Sequence, residues 1–262
     1  MNYKLNISNS TFKSNRAYNY GGNIYAEITN GDLIIDRCIF YNNSVSPEEN
    51  TYGGAAIYTM AATNLYVSNS NFTSNYALRS EGGAVRHSGY ANFENCIFDS
   101  NMAGDGGAIC SGRDTSKCDV NNTIFINNFA NRWGGALQEH NAVVNNSVFR
   151  NNTANLTNDV KNDEFGAYGG AVCVRESFDA YNALFEENQA RRGGAIYFEK
   201  RTSIAVVQNC TFTNNSAVQY GGAITTELTG GTVTISDSKF RQNSAPDGGA
   251  IFMSTLKGTG TV

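Results

Sequence analysis

The chain has 262 residues, of which 27 are Gly, 36 are Asn and only 2 are Pro, and its formal net charge is −4. With 16% charged and 40% hydrophobic residues it is neither a disordered tail nor the basic surface of a nucleic-acid binder. It has no run of about 18 apolar residues to cross a membrane as a helix, and Met1-Asn2-Tyr3-Lys4-Leu5-Asn6 lacks the apolar stretch of a signal peptide. The chain is therefore expected to be cytosolic or a segment of a longer secreted protein.

In chain order, one unit recurs. It begins with an alternating segment (Leu5, Ile7, then small Ser10), passes through Phe12-x-x-Asn15 and x-Ala17, and ends at Gly21-Gly22. Phe-x-x-Asn returns at Phe40/Asn43, Phe72/Asn75, Phe98/Asn101, Phe125/Asn128, Phe149/Asn152, Phe185/Asn188, Phe212/Asn215 and Phe240/Asn243. Between these, Gly-Gly pairs start at Gly53, Gly82, Gly106, Gly134, Gly169, Gly193, Gly221 and Gly248. Phe12 to Phe240 is 228 residues over eight intervals, a mean near 28.5. Before each Phe the pattern has period two and is rich in β-branched residues, as in Leu33, Ile35 and Cys38 or Leu65, Val67 and Ser70. That is the signature of a strand with one buried face. A second short strand follows each Gly-Gly, as in Ala195-Ile196-Tyr197.

Strands at a fixed period with no helical pattern between them point to an all-β fold, a right-handed parallel β-helix (solenoid) of about nine coils with a mean period of about 28 residues, forming one domain over residues 1–262. Asn suits stacked coils, because its amide donates to one neighbour and accepts from the other, and because it tolerates the left-handed turn conformation. Gly-Gly suits a corner needing positive φ. Scarce Pro keeps every ladder N–H available.

Phe-x-x-Asn alternating with Gly-Gly-Ala-aliphatic resembles the polymorphic outer membrane protein repeats of chlamydiae and similar repeats in adhesin-like surface proteins of methanogenic archaea. The units Phe212-Thr-Asn-Asn-Ser-Ala with Gly-Gly-Ala-Ile224, and Phe149-Arg-Asn-Asn-Thr-Ala with Gly-Gly-Ala-Val172, carry it most clearly. Two departures are Asn23 after the first Gly pair and Ala56, which intrudes after the second. The resemblance implies an extracellular, autotransporter-like β-helix that works as an adhesin or passenger; it supplies no catalytic residue. Neither the signal peptide nor the C-terminal barrel of the chlamydial proteins is in the sequence, and no polar cap is evident, so a segment of a longer repeat array is expected.

Length varies around the turns. Asn to Gly-Gly is five to seven residues, except ten in the second unit (with Pro47-Glu48-Glu49) and seventeen in the sixth (with Asp159, Asp163 and Glu164), and these insertions are expected to project as polar loops on a binding face. The residue before each Gly pair reads Tyr20, Tyr52, Glu81, Asp105, Trp133, Tyr168, Arg192, Tyr220 and Asp247. Stacked in register these make one stripe. The aromatic members could stack on sugar rings, with Glu81, Asp105 and Arg192 as polar contacts, or could simply stack between coils and close the turn.

Other candidate chemistry reads as structural. Cys38, Cys96 and Cys210 sit at the inward small position; Cys110 and Cys118 flank a short loop and could form a disulfide in an oxidising compartment; and no Cys-x-x-Cys suggests zinc. His87 and His140 lack metal-ligand spacing and are expected at the surface. Glu81 and Asp105 in neighbouring coils are the pair to consider for polysaccharide hydrolysis or lysis, the alternative to adhesion. The outward column Lys13, Tyr41, Thr73, Asp99 and Ile126 is too mixed for an ice-binding array. Glycosylation sequons occur at Asn42, Asn71, Asn121, Asn145, Asn151, Asn155, Asn209 and Asn214. The expectation is thus a monomeric, extracellular, non-catalytic surface protein with no cofactor or metal. Its partner would be a host or partner-cell protein or glycan, with no nucleic acid and no membrane insertion in this segment. A purely structural spacer is the third reading.

Overall fold

A computed structural model describes residues 3–28, 30–46, 52–60, 63–155, 166–199 and 204–255. The acidic residues of the two insertions, around Pro47-Glu48-Glu49 and at Asp159, Asp163 and Glu164, lie outside these. The described residues form a right-handed parallel β-helix without α-helix. One coil runs Thr63–Ser68, Asn71–Thr73, Tyr76–Glu81, across Gly82-Gly83, and into Val85–His87. The nine Phe strands, from Thr11–Lys13 to Lys239–Arg241, form one parallel sheet, giving eight full turns between the first and the last. An eight-stranded sheet collects the x-Ala strands. A sixteen-stranded sheet holds the strands after Gly-Gly and those before Phe; the two rows fuse into single strands at Leu137–Asn145 and Val172–Tyr181.

The inward positions read from the alternation are the core. Leu33, Ile35, Leu65, Val67, Ala91, Phe93, Val120 and Val144 are all at most 1% exposed. The Phe rings stack along the axis from Phe12 to Phe240, with centroids 4.6–4.9 Å apart and planes within 7°. That spacing is the separation of neighbouring strands, so register alone fixes the stack. Each buried ring contributes roughly 1.5–3 kcal/mol of transfer free energy.

Asn does two jobs at two positions. Three residues before Phe it adopts the left-handed conformation: Asn9, Asn69, Asn95, Asn122, Asn146, Asn182 and Asn209 have φ of 48–54°, and Arg37 and Asp237 take the same angle in the remaining units. Three residues after Phe it is buried and builds a ladder. Asn75 Nδ2 donates to Asn101 Oδ1 at 2.9 Å and to the Phe40 carbonyl at 3.1 Å, while Asn75 N–H donates to the same Asn101 Oδ1 at 3.0 Å. The pattern repeats from Asn43 to Asn215, so side-chain amides buried in the interior are satisfied on both sides.

The two glycines of each pair are required for different reasons. The first takes positive φ, for example +68° at Gly82 and +58° at Gly106. The second lies against the stacked backbone: a Cβ on Gly83 would meet the Gly107 carbonyl oxygen at 2.0 Å. The second unit corrects the sequence reading. There Ala56 is no intrusion; the motif is displaced by one residue. Gly54 is the positive-φ corner, a Cβ on Gly22 would touch the Ala55 carbonyl oxygen at 2.0 Å, and Tyr20 pairs in register with Gly53.

Candidate functional site

The residues before Gly-Gly do lie in register along one corner. Glu81 pairs with Asp105, Trp133 with Tyr168, Tyr168 with Arg192, Arg192 with Tyr220, and Tyr220 with Asp247. Tyr52 is offset by the displaced motif, yet its ring stacks on Tyr20 at 4.9 Å. The single-file stripe is half of the arrangement. A second column stands across the glycine corner, on the middle residue of each following strand: Tyr25, Tyr58, Arg86, Cys110, Gln138, Cys173, Tyr197, Thr225 and Phe252 pair in register. These residues stand five after the stripe position, or six in the displaced second unit (Tyr52 to Tyr58), a spacing visible in the sequence but obscured because alternation marks the middle residue as outward.

The two columns interlock diagonally. Tyr20 contacts Tyr25 at 5.2 Å and, in the next coil, Tyr58 at 5.1 Å; Tyr25 stacks on Tyr58 at 5.7 Å. Tyr168 stacks on Tyr197, and Tyr220 on Phe252, both at 4.5 Å. Guanidinium groups fill the remaining places. Arg192 lies over Tyr168 at 5.4 Å and Tyr220 at 5.1 Å, Arg86 over Tyr58 at 4.9 Å, and Arg132 and Arg175 both over Trp133 at 5.1 Å. Contacts of this kind are worth roughly 0.5–2 kcal/mol each, rising with desolvation.

Charge on this face is paired. Arg86 Nε donates to Glu81 at 2.6 Å and its Nη1 to the Tyr58 hydroxyl at 2.5 Å. Arg132 forks onto both oxygens of buried Asp105. Arg192 donates to Glu227 at 2.9 Å and to Gln219 at 3.0 Å, and the Tyr197 hydroxyl donates to the other Glu227 oxygen at 2.7 Å. Burial holds the Asp105 carboxyl above its ordinary range, with Arg132 pulling it back. Burial and the adjacent Glu227 push the Tyr197 hydroxyl far up, so it serves as a donor. Glu81 and Asp105 are therefore neighbours, as expected, but each is held by its own arginine.

Exposure varies along the corner. Tyr52 is 47% and Tyr25, in the second column, 45% exposed, whereas Asp105 and Arg192 are buried and Asp247 in the last coil is exposed again. Tyr20 lies between the two exposed rings, half-buried.

One expectation fails, and the disulfide left open by the sequence is not formed. All six cysteines are free buried thiols: Cys110 donates to Gln138 Oε1 at 2.7 Å, so it does not pair with Cys118. His87 and His140, expected at the surface, are 0% and 4% exposed. The strand after Gly-Gly turns its third residue inward, and polar groups occupy that column at Thr59, His87, Ser111 and Glu139. His140 follows Glu139 on the fused strand, with Nδ1 2.9 Å from Ser111 Oγ and Nε2 2.9 Å from Asp114.

Four segments, residues 95–112, 122–138, 182–199 and 209–227, match the Chlamydia polymorphic membrane protein repeat. Each starts at the left-handed Asn before a Phe strand and ends within, or one residue past, the strand beyond Gly-Gly, so the repeat spans most of one structural coil. The chain carries that repeat at these four places. Neither a curated protein nor a solved structure matches the chain.

Proposed function

We propose that this chain is part of a cell-surface, adhesin-like β-helix that binds a glycan of a host or partner cell on the open tyrosine end of its glycine corner. The observation that carries the reading is the cluster Tyr20, Tyr25, Tyr52 and Tyr58, with ring contacts of 4.9–5.7 Å and two rings nearly half exposed. Tyrosine offers a flat apolar face for the C–H side of a sugar and a hydroxyl for its polar edge. Clustered aromatic surface left open to solvent is the kind of patch that serves as an interaction site. The repeat match supports display at the cell surface. The pairing of Glu81 with Arg86 and of Asp105 with Arg132 supports binding without catalysis, since neither carboxylate is left free to serve as acid or nucleophile.

A glycan array tests this directly. The wild-type chain is expected to bind a subset of glycans, and Tyr52→Ala to lose at least tenfold in affinity. Absence of binding to glycans and to cells at high protein concentration would favour a spacer. Release of reducing or unsaturated sugar from a polysaccharide panel, abolished by Glu81→Ala, would overturn the non-catalytic reading.

A further inference from the structure

We propose that His87, Cys118 and Glu139 form a buried binding site for a divalent transition-metal ion, zinc above all. The three side chains come from the strands Val85–His87, Lys117–Asn121 and Leu137–Asn145 and meet inside the solenoid, each 0% exposed, with one ligand atom apiece all within 4.8 Å of one another. The space between them follows from small residues in the same columns. Ser111 stands between His87 and Glu139 with its hydroxyl turned to His140, and Cys118 is flanked in register by Ala91 and Ala142.

The histidine points to a cation. His87 Nδ1 is 3.1 Å from the Gly89 carbonyl oxygen, which can only accept, so Nδ1 carries the hydrogen. That leaves the Nε2 lone pair facing Glu139, 3.2 Å from each carboxylate oxygen. Two acceptors face each other across this gap, which a proton or a metal ion would bridge. A proton would give a charged hydrogen bond, which usually closes to about 2.7–2.9 Å on one oxygen. The observed equal 3.2 Å separations instead approach the ligand–ligand edge of a tetrahedral zinc site, about 3.3–3.8 Å for bonds of 2.0–2.3 Å. An imidazole anchored through its other nitrogen to a carbonyl is also how metal-binding histidines are held.

The donor set fits the charge. A thiolate and a carboxylate cancel the two positive charges of the ion, so the loaded site is neutral in an interior that tolerates no net charge. Thiolate, imidazole and carboxylate together suit zinc better than calcium or magnesium, which demand oxygen. Two residues before Cys118, Ser116 carries a buried hydroxyl with no hydrogen-bond partner among the described residues. The ligand numbers 87, 118 and 139 follow no short motif, because the spacing is set by coil stacking.

The test is metal content after refolding, since a site enclosed by the core loads as the chain folds. The whole chain is unfolded with chelator, refolded with Zn2+ or Co2+, and passed through gel filtration. Wild type is expected to retain about one ion per chain, and its Co2+ form to show a thiolate charge-transfer band. Cys118→Ala, which matches the alanines stacked on either side, is expected to fold and to lose both. Cys96→Ala, outside the site, is expected to keep both. A β-rich wild type that emerges free of metal, or a Cys118→Ala chain that binds as wild type does, would overturn the proposal.

Discussion

The two ends of the glycine corner use the same sequence positions in opposite ways. Around Tyr20 and Tyr52 the rings contact each other and stay partly exposed; the guanidinium over neighbouring Tyr58, that of Arg86, is occupied by Glu81 and the Tyr58 hydroxyl. Around Tyr168 and Tyr220 the rings sandwich Arg192, which is in turn locked to Glu227 and Gln219. The first end leaves faces available to a ligand. The second spends its aromatic faces on a cation of its own. A stripe of similar residue types is therefore not one site, and partner identity decides which part can bind.

Substitutions can break that contrast. The reference is the interior common to both ends: Phe125, fully buried between Phe98 and Phe149, is expected to cost about 3–5 kcal/mol as Phe125→Ala in denaturant unfolding. Next comes Arg192→Ala, which strands the poorly exposed Glu227 carboxylate with the Tyr197 hydroxyl as its remaining hydrogen-bond donor in this cluster; a loss of about 3 kcal/mol is expected, with glycan binding unchanged. A loss under about 1 kcal/mol would place that pair with ordinary surface salt bridges and erase the contrast.

Asp105, midway along the corner, is expected to show a smaller and pH-dependent effect. Its carboxyl is held above the ordinary 3.8 by burial, so the folded chain binds this proton more tightly than the unfolded chain. Its contribution is then greatest below pH 3.8 and declines as pH rises toward the raised folded value. Asp105→Asn, neutral at every pH, removes that slope, so the wild-type thermal midpoint measured across acid pH should rise relative to that of the variant as pH falls through the raised folded value. Parallel curves would mean that Arg132 fully offsets burial. Smallest is Tyr52→Ala, whose ring is half exposed: its stability change should stay within about 1 kcal/mol by the same unfolding assay, although it is the variant expected to weaken binding at least tenfold.

Much of the fold was legible because a β-helix writes its register into the sequence. Leu33, Ile35 and Phe40 are buried where the alternation placed them, and the Phe and Asn columns follow from the period. The two roles of Asn were both anticipated, but their division between the left-handed corner and the buried ladder needed coordinates. The displaced motif at Gly54 was misread because Gly53-Gly54 looks like every other pair; only the contact of Ala55 with Gly22 shows which residue turns the corner. The histidines were misplaced for a related reason. Composition puts a lone His at the surface, whereas the third residue after Gly-Gly-Ala points inward whatever its type.

The sequence by itself determined the repeat, its period, the strands, the inward face and the corner on which aromatic residues collect, because each is a local pattern renewed in every coil. The tertiary structure decided what those residues do, since the deciding contacts run between coils. Arg192 is sequestered by Glu227, 35 residues on, and His87 faces Glu139 from 52 residues away. Such pairings depend on which coil stacks on which and how far a side chain reaches across 4.8 Å layers, and no periodicity along the chain encodes that reach.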